Sequence, residues 1–519
     1  MSDYDDFVAS KRRAEVATGH KPGDLNEHLF DFQHAIVEWA IRRGRAAIFA
    51  DTGLGKTLMQ LSWADEVASH TGGIVLVLAP LAVSEQTIEQ GSSFGIHIER
   101  HTGADVFGPH VYITNYERMG AVEFSQLGGL VLDESSILKA HDGKTRQAII
   151  DAAQGIPYRL SCTATPSPND FEELGNQCEF LGVMTRTEML ATYFVNDTGD
   201  TGTWRLKGWG QSRFWEWMGT WAVVLRNPCD IGFDGKRYEL PPLEYVEHVV
   251  ETEPLGDDLF SRPAQTMLER RKAQRDSIEA RCKALAEVVN AEPNEPWLIW
   301  CHLNDEADYL ASLIPGAVNV QGSDSPESKA KNLMGFAHGD IRVLVSKPKI
   351  AGFGMNWQHC ARMAFVGLDD SFEKFYQAVR RCYRFGQKRS VQVHIFTAEN
   401  EGQILENIKR KEQQHHAMSA NMIEHMKDIM NNELAGQTNI VDEYREDTYK
   451  GDGFTVHLGD CVKWSKRMPD NSVDYSVFSP PFADLFVYSN SDHDMGNCKD
   501  DEEFVAQLKF LIAELFRVI

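Results

Sequence analysis

A glycine-rich stretch at residues 49–57, F-A-D-T-G-L-G-K-T, has the composition of a loop that binds phosphate groups. It follows a short apolar run, residues 46–50, and precedes residues 58–67, whose spacing predicts an amphipathic helix. Gly53 and Gly55 allow backbone N–H groups to turn inward, and the start of the helix adds a partial positive charge. This order of strand, loop and helix predicts that the chain binds a nucleoside triphosphate.

Four further side chains could carry the chemistry of that triphosphate. Lys56 can reach the β- and γ-phosphates, and the hydroxyl of Thr57 can ligate Mg²⁺. Asp133 and Glu134 end an apolar run, where the first can hold Mg²⁺ and the second can orient a water molecule. Two acidic residues after a strand usually belong to an ordinary loop. The phosphate loop upstream favours the catalytic interpretation.

Arginines and one glutamine extend this candidate site. Arg381 and Arg384 are three residues apart, which predicts that they share one face of a helix. A guanidinium keeps its charge and suits a γ-phosphate better than lysine does. Gln33 precedes the loop by one short element, and its amide has the donor and acceptor needed to read an adenine edge. Its spacing alone favours a glutamine on a solvated helix face.

Apolar runs that alternate with helical stretches must position these residues. In the first half of the chain such runs predict buried strands at residues 74–80, 111–117, 130–136 and 158–166. In the second half they predict strands at residues 297–301, 317–320, 341–345, 363–368 and 391–396. Strands that alternate with helices predict a parallel sheet covered by helices, and two such series predict two lobes.

Composition sets the class of protein. The 519 residues, 25% charged and 42% hydrophobic, are typical of a soluble globular chain with about three domains. The longest apolar run, residues 74–83, is too short to span a membrane, and the N-terminus has no apolar signal core. Nine cysteines without a C-x-x-C pair fit a reducing compartment. We therefore expect a cytoplasmic protein with no membrane partner.

Several motifs resemble, in order, those of superfamily-two helicases, and most closely those of the Swi/Snf-type double-stranded-DNA translocases. These motifs are D-T-G-L-G-K-T (51–57), I-T-N-Y-E (113–117), D-E-S-S (133–136), C-T-A-T-P-S-P-N (162–169), S-K-P-K-I-A-G-F-G-M-N (346–356) and Q-A-V-R-R-C-Y-R-F-G-Q-K-R (377–389). The resemblance covers about residues 28–410. It implies an α/β fold with two RecA-like parallel-sheet lobes and an ATP cleft between them.

The resemblance also implies a role for each matching residue. Residues implied to bind ATP are Gln33, which would read adenine, and Gly53, Gly55, Lys56 and Thr57. Asp133 would hold Mg²⁺ through water, Glu134 would position the attacking water, and Arg381 and Arg384 would complete the site from the second lobe. Residues implied to couple the cleft to nucleic acid are Thr163, Thr165, Gly352, Gly354 and Asn356.

The implied activity is ATP-dependent movement along double-stranded DNA, with ATP closing the cleft and hydrolysis reopening it. The expected partner is therefore double-stranded DNA, which would place the protein on the nucleoid when bound. The net charge of −24 lowers the expectation of salt-resistant binding, although a groove needs only local cations. The alternatives are an RNA or DNA strand-separating helicase and a non-catalytic nucleic-acid scaffold.

A different pattern begins after residue 450. Residues 468–482 predict a strand that ends in S-P-P-F, formed by Ser479, Pro480, Pro481 and Phe482. This ending resembles the catalytic motif of amino-methylating DNA methyltransferases, closer to the cytosine-N4 form, in which the aromatic residue stacks on a flipped base. A simple proline turn is the alternative. The tail thus suggests a translocase coupled to a DNA methyltransferase, as in phage or mobile-element modification systems.

The glycine-rich cofactor loop of such methyltransferases does not follow Phe482 in the sequence. In the family order it would lie beyond Ile519, so we expect a truncated form with an incomplete Rossmann-like methyltransferase portion. Binding of S-adenosylmethionine is expected only in a longer form of the chain. We also expect this tail to be loosely ordered, because it buries little core alone.

These expectations give a domain plan. In chain order it comprises a polar N-terminal lead-in (1–27), the first lobe (28–240) with a Trp-rich helical insert (185–232), a linker (241–262), the second lobe (263–430), a further linker (431–450) and the partial methyltransferase (451–519). The tryptophans of the insert could stack on bases, but aromatic clusters more often pack a core.

Overall fold

Two parallel β-sheets, each covered by helices, make up most of the fold. The computed structural model describes residues 3–11, 17–80, 83–101, 110–139, 143–167, 170–196, 204–207, 211–251, 274–351, 355–368, 371–399, 403–436, 445–481, 491–498 and 501–519. The two sheets confirm the predicted fold class of two α/β lobes. Among the described residues, every helix is too short or too polar to cross a membrane.

The first lobe is built on a seven-stranded sheet with the order β3-β4-β2-β5-β6-β1-β9. Its strands, with the separate pair β7–β8, are β1 (Arg45–Ala50), β2 (Ile74–Ala79), β3 (Ile98–Arg100), β4 (Val111–Asn115), β5 (Leu127–Asp133), β6 (Tyr158–Cys162), β7 (Phe194–Asn196), β8 (Trp204–Leu206) and β9 (Ala222–Leu225). The central strands are buried along nearly their whole length because helices cover both faces of the sheet.

Helices of the first half of the chain pack mainly on this sheet. They are α1 (Asp3–Ser10), α2 (Asp31–Arg43), α3 (Lys56–Thr71), α4 (Ser84–Ser93), α5 (Lys144–Ala153), α6 (Leu174–Leu181), α7 (Arg186–Tyr193) and α8 (Gln211–Gly219). Helix α3 begins directly after the phosphate loop, as the sequence predicted. Helix α1 is the exception, because it packs against the C-terminal part of the chain.

The second lobe is built on a six-stranded sheet with the order β10-β15-β14-β11-β13-β12. Its strands are β10 (Leu243–Val250), β11 (Trp297–Cys301), β12 (Ala317–Asn319), β13 (Val343–Ser346), β14 (Arg362–Val366) and β15 (Val391–Ala398). Its helices are α9 (Ile278–Ala291), α10 (Asn304–Leu313), α11 (Pro326–His338), α12 (Pro348–Ala351), α13 (Phe372–Val379) and α14 (Gln403–Leu434). All pairings in the sheet are parallel.

Two edge strands lie where the sequence suggested other structure. Residues 243–250, placed in a linker, form β10 and pair with β15 along their whole length. Polar residues such as Glu244 and Glu247 make this strand difficult to recognise from the sequence. They are tolerated because one side of an edge strand faces solvent. Within the segment suggested as a helical insert, β9 pairs with β1, and Trp215 and Trp221 are buried. This burial fits packing rather than base stacking.

Helix α14 connects the two lobes. Near its start, Ile408 lies in the core of the second lobe. Towards its end, Met422, Met426 and Met430 lie in the core of the first lobe. Glu433 also forms a largely buried ion pair with Arg43 of α2. The helix therefore contributes to both cores.

The C-terminal part forms a small unit with the N-terminal helix. It contains the antiparallel pair β16 (Asp447–Gly451) and β17 (Phe454–Leu458), followed by α15 (Cys461–Lys466) and α16 (Asp501–Val518). Tyr4 and Val8 of α1 pack here with Val462 and Leu511. The predicted lead-in therefore includes a helix with a buried apolar face.

The strand predicted to lead into Ser479 is not formed in the described residues 473–481. Tyr475 and Val477 are each 79% exposed there. An apolar strand requires a neighbouring strand and a packed face, and the surrounding described residues supply neither. Phe482 lies outside the described residues.

Candidate active site

The phosphate loop runs from the end of β1 to the start of α3, and two of its glycines have left-handed backbone. Gly53 has φ 90° and Gly55 has φ 80°. A Cβ atom at Gly53 would lie 2.8 Å from the backbone nitrogen of Phe385, and one at Gly55 would lie 2.2 Å from Nε2 of Gln33. Both positions therefore require glycine, for its backbone freedom and for the close approach of a neighbour.

Gln33 is buried and supports this loop. Its Nε2 donates a hydrogen bond to the carbonyl of Leu54 at 2.8 Å, and its Oε1 accepts one from the backbone N–H of Phe30 at 3.0 Å. Only 3% of the residue is exposed, so the expectation of a solvated glutamine is wrong. The adenine contact implied by the family resemblance stays a prediction.

Lys56 lies at the bottom of the cleft between the lobes. Its Nζ donates hydrogen bonds to the carbonyls of Ala50 at 2.7 Å and Asp51 at 3.2 Å. Burial lowers the pKa of Lys56, and the nearby carboxylates of Glu134 and Asp133 oppose that shift. The ammonium group is therefore held beside the carboxylates that the sequence assigned to Mg²⁺ and water.

Asp133 ends β5, and Glu134 follows it in an unusual backbone conformation. Burial and, to a smaller extent, the neighbouring charge of Glu134 raise the pKa of Asp133 to about 7, against the effect of Lys56. Glu134 has φ 56°, a left-handed value that costs a residue with a side chain about 1–3 kcal/mol. Such strain is concentrated at functional sites, and here it directs the Glu134 carboxylate into the cleft.

The arginines of the second lobe also reach this cleft, although they do not lie on a helix. Helix α13 ends at Val379, and Arg381 and Arg384 lie in the turns that follow. The Nε of Arg381 donates to the carbonyl of Gln377 at 3.0 Å. In a continuing helix this carbonyl would accept a backbone N–H instead. The predicted shared helix face is thus wrong, but both arginines line the cleft.

The cleft has the properties required by a triphosphate with Mg²⁺. Its lining residues are Thr52, Gly53, Gly55, Lys56, Thr57, Val83, Gln86, Thr87, Gln90, Asp133 and Glu134 from the first lobe, and Asn356, Arg381 and Arg384 from the second. Within the described part of the chain, Nε of Arg384, Oδ1 of Asn356 and Oγ1 of Thr87 are buried without a hydrogen-bond partner. Phosphate oxygens and Mg²⁺ with its water would satisfy such donors and acceptors. Thr57 and Asp133, which the sequence predicts to hold the metal, both line this cleft.

The residues predicted to couple the cleft to nucleic acid are only partly described. Thr163 follows β6, and its hydroxyl accepts a hydrogen bond from the backbone N–H of Thr165 at 3.1 Å. Asn356 lines the cleft itself. Gly352 and Gly354 lie outside the described residues.

A second group of polar residues, which the sequence analysis did not assign, surrounds a cavity of about 180 Å³ in the second lobe. His302 follows β11, Lys347 and Lys349 follow β13, and Lys374 lies on α13. Parallel strands bring their carboxyl ends to one edge of the sheet, where ligands of such folds bind. The lysines that directly follow a buried strand are the sequence signal that could have predicted this group.

Comparison with known proteins identifies both lobes. Residues 30–174 match the DEAD/DEAH box helicase family, and residues 280–386 match the helicase conserved C-terminal domain. The first match includes the phosphate loop and both cleft carboxylates, and the second includes Arg381 and Arg384. No curated protein matches the chain.

Proposed function

We propose that this chain, which carries both motor domains of a superfamily-two helicase, is an ATP-dependent translocase on double-stranded DNA. The cations at the cleft are the observation that supports it best. Arg381 and Arg384 line the same cleft as Lys56. Burial, followed by the charges of Arg381 and Arg380, lowers the pKa of Arg384 to about 9. A bound polyphosphate would stabilise such closely spaced, buried positive charges.

The cleft residues divide the work of hydrolysis. Lys56 and the N–H groups of its loop bind the phosphates, and Glu134 orients the attacking water. Thr57 and Asp133 would hold Mg²⁺, which neutralises phosphate charge when it is bound. Arg381 and Arg384 stabilise the charge that develops on the transferred group from the opposite lobe.

The placement of these groups on opposite lobes also explains how the chain would move along a duplex. The arginines of the second lobe bind a negative charge that the first lobe holds, so ATP favours a closed cleft. Hydrolysis and phosphate release remove that charge, and the lobes separate again. A duplex bound across both lobes would then advance by one step in each cycle.

Double-stranded DNA is proposed over RNA because of the motif at residues 377–387. The string at residues 377–387 resembles that of duplex translocases more than that of RNA helicases. The group formed by Lys347, Lys349 and Lys374 offers cations for a phosphate backbone on a chain whose net charge is −24. The alternative is an RNA or DNA strand-separating helicase with an unrelated C-terminal appendage, in which the same lysines would bind a single strand.

ATPase rates decide between these functions. The rates should be measured in parallel with duplex DNA, single-stranded DNA and RNA at equal nucleotide concentration, with Lys56→Ala as the inactive control. We expect the greatest stimulation from duplex DNA, and a steep loss of this stimulation with added salt. Stimulation by RNA alone would instead support the alternative.

We further propose that residues 451–519 belong to a DNA methyltransferase that modifies an exocyclic amine. The motif at Ser479, Pro480 and Pro481 supports this, together with exposed apolar side chains nearby. Those side chains are Tyr449, Phe454, Val456, Leu458, Tyr475, Val477 and Phe478. Exposed apolar surface of this extent marks a contact site.

Methyl transfer from tritiated S-adenosylmethionine to mixed-sequence DNA tests this second proposal. The 519-residue chain should be compared with one extended through a glycine-rich strand. We expect transfer only by the extended chain, and we expect Pro480→Ala to abolish it. Transfer by the 519-residue chain would show that the cofactor site does not need that strand.

A further inference from the structure

Arg380 and Arg381 are adjacent in sequence but bind in different places. Arg381 lines the phosphate cleft, whereas Arg380 reaches the first lobe and places Nη2 3.1 Å from Oδ2 of Asp51. The other carboxylate oxygen of Asp51 accepts hydrogen bonds from the hydroxyl of Tyr376 at 2.8 Å and from the N–H of Thr52 at 2.6 Å. The Thr52 hydroxyl also donates to this oxygen, at 3.4 Å, so one carboxylate receives four donors, two of them from the second lobe.

These groups are buried, so the contact is sensitive to the loss of any partner. The Arg380 side chain is 8% exposed and that of Asp51 is 10% exposed. Burial alone would raise the pKa of Asp51, but the charge of Arg380 and the hydrogen bond from Tyr376 outweigh it and lower the pKa. Removal of either charged partner would leave an uncompensated buried charge.

The position of Asp51 connects this contact to the phosphate loop. Asp51 is the first residue after β1, and its carbonyl accepts a hydrogen bond from Lys56 Nζ at 3.2 Å. A second contact lies close by, because the backbone of Phe385 packs against Gly53. The chain segment that carries Arg381 and Arg384 thus contacts the phosphate loop on both sides of those arginines.

We propose that Arg380 and Tyr376 are positioning residues that bind Asp51 and set the lobe spacing at which Arg381 and Arg384 reach the γ-phosphate. The proposal deepens the ATPase function proposed above and rests on it. The arginines alone could approach over a range of lobe positions. The contact with Asp51 selects one position, in which the phosphate loop and the turn after α13 are joined directly.

Another ion pair between the lobes provides a matched control. Lys139, which follows β5, binds Glu373 at the start of α13; the Lys139 side chain is 40% exposed and that of Glu373 is 14% exposed. This pair joins the same two lobes but is separated from the phosphate loop in sequence. A pair with one partner open to solvent is screened and contributes less to stability than the buried Arg380–Asp51 pair. Glu373→Gln therefore removes a lobe contact without disturbing Asp51.

The first test is steady-state ATPase activity of the full chain with saturating duplex DNA. Arg380→Gln and Asp51→Asn should each lower kcat about 100-fold, the effect of a small misplacement of reacting groups, with a smaller change in KM for ATP. Tyr376→Phe should lower kcat less, and Arg380→Lys should restore most of it. Glu373→Gln should keep kcat within about threefold of the wild type.

The double variant Asp51→Asn with Arg380→Gln separates a direct contact from two independent effects. We expect its kcat to be no lower than that of the worse single variant, because both changes remove one interaction. The proposal would be overturned if the loss of kcat in the double variant equalled the product of the two single losses. A wild-type kcat for Arg380→Gln would also overturn it. Equal losses for Arg380→Lys and Arg380→Gln would also overturn it.

Small-angle X-ray scattering without nucleotide provides a test that does not depend on hydrolysis. Arg380→Gln should increase the radius of gyration relative to the wild type, and Glu373→Gln should not. A chain that hydrolyses no ATP would refute the proposed function, while this measurement would still decide whether Arg380 holds the lobes together. An unchanged radius for Arg380→Gln would overturn the positioning role.

Discussion

The hydroxyl of Thr163 lies 3.4 Å from the carboxylate of Glu134, across the ends of two neighbouring strands of the first lobe. Glu134 follows β5, and Thr163 follows β6. The same hydroxyl accepts the N–H of Thr165, so the segment after β6 is linked to the carboxylate assigned to water activation. A shift of this segment can therefore change the position of Glu134.

This link predicts the effect of Thr163→Val, which keeps the side-chain shape and removes the hydroxyl. We expect the stimulation of ATPase activity by duplex DNA to fall about tenfold, equivalent to about 1.4 kcal/mol. Phosphate release with and without DNA measures it, and Thr163→Ser serves as the control that keeps the hydroxyl. Wild-type stimulation of Thr163→Val would show that coupling does not use this contact.

Hydrolysis itself should depend on charge at the cleft. Lys56→Ala, Glu134→Gln and Arg381→Ala should each lower duplex-stimulated turnover by about 100- to 1,000-fold, because each removes a group aimed at the transferred phosphate. Phosphate release under saturating ATP measures this loss. A Glu134→Gln variant that keeps more than about a tenth of the rate would remove Glu134 from its assigned role.

The second lobe should depend on a buried ion pair. Arg281 and Glu306 lie 3.0 Å apart with both side chains fully buried, and Glu306 also accepts the N–H groups of His302 and Leu303. Glu306→Gln keeps the acceptor for those N–H groups but leaves the charge of Arg281 uncompensated. We expect the free energy of unfolding to fall by about 3–5 kcal/mol in urea titrations.

Glu279→Gln is the matched control for that change. Glu279 pairs with Lys283 on the exposed surface of α9 and should not alter the urea midpoint. Equal midpoints for Glu306→Gln and Glu279→Gln would show that the buried pair does not stabilise the second lobe.

Acid should destabilise the second lobe through His394. Burial lowers the pKa of His394 to about 4, with His248 and Arg362 adding to the shift and Glu292 opposing it. In the unfolded chain His394 therefore binds a proton near pH 6.5, whereas in the folded lobe it binds one only near pH 4. Stability is full above pH 6.5 and falls as the pH drops between these values.

Thermal unfolding between pH 4 and pH 8 measures this effect, with His394→Phe as the comparison. Phenylalanine keeps an aromatic ring beside His248 and Trp297 but cannot titrate. On acidification, the melting temperature of the variant should fall less than that of the wild type. Parallel curves for the two proteins would assign the acid sensitivity to other groups.

The glycine loop between β1 and α3 was predictable because its signal is local. Gly53, Gly55 and Lys56 lie within four residues of the sequence, so their types and spacing are sufficient to predict the loop. The burial of Gln33 was not predictable, because its partner, the carbonyl of Leu54, is brought close only by folding. The interlobe contact of Asp51 has the same origin.

Edge strands and chain ends were less predictable for a different reason. Strand β10 carries polar residues on its open side, which removes the continuous apolar pattern of a buried strand. Tyr4 hydrogen-bonds to Asp460, more than four hundred residues away. Apolar periodicity shows that a face is buried, but not which part of the chain covers it.

The central claim is movement along duplex DNA without strand separation. Displacement of a triplex-forming third strand from a duplex tests it most directly, with a forked duplex of equal length as the parallel substrate and Glu134→Gln as the inactive control. We predict that the wild-type chain releases the third strand in an ATP-dependent manner and leaves the fork paired. ATP hydrolysis with efficient fork unwinding, or hydrolysis without release of the third strand, would contradict this function.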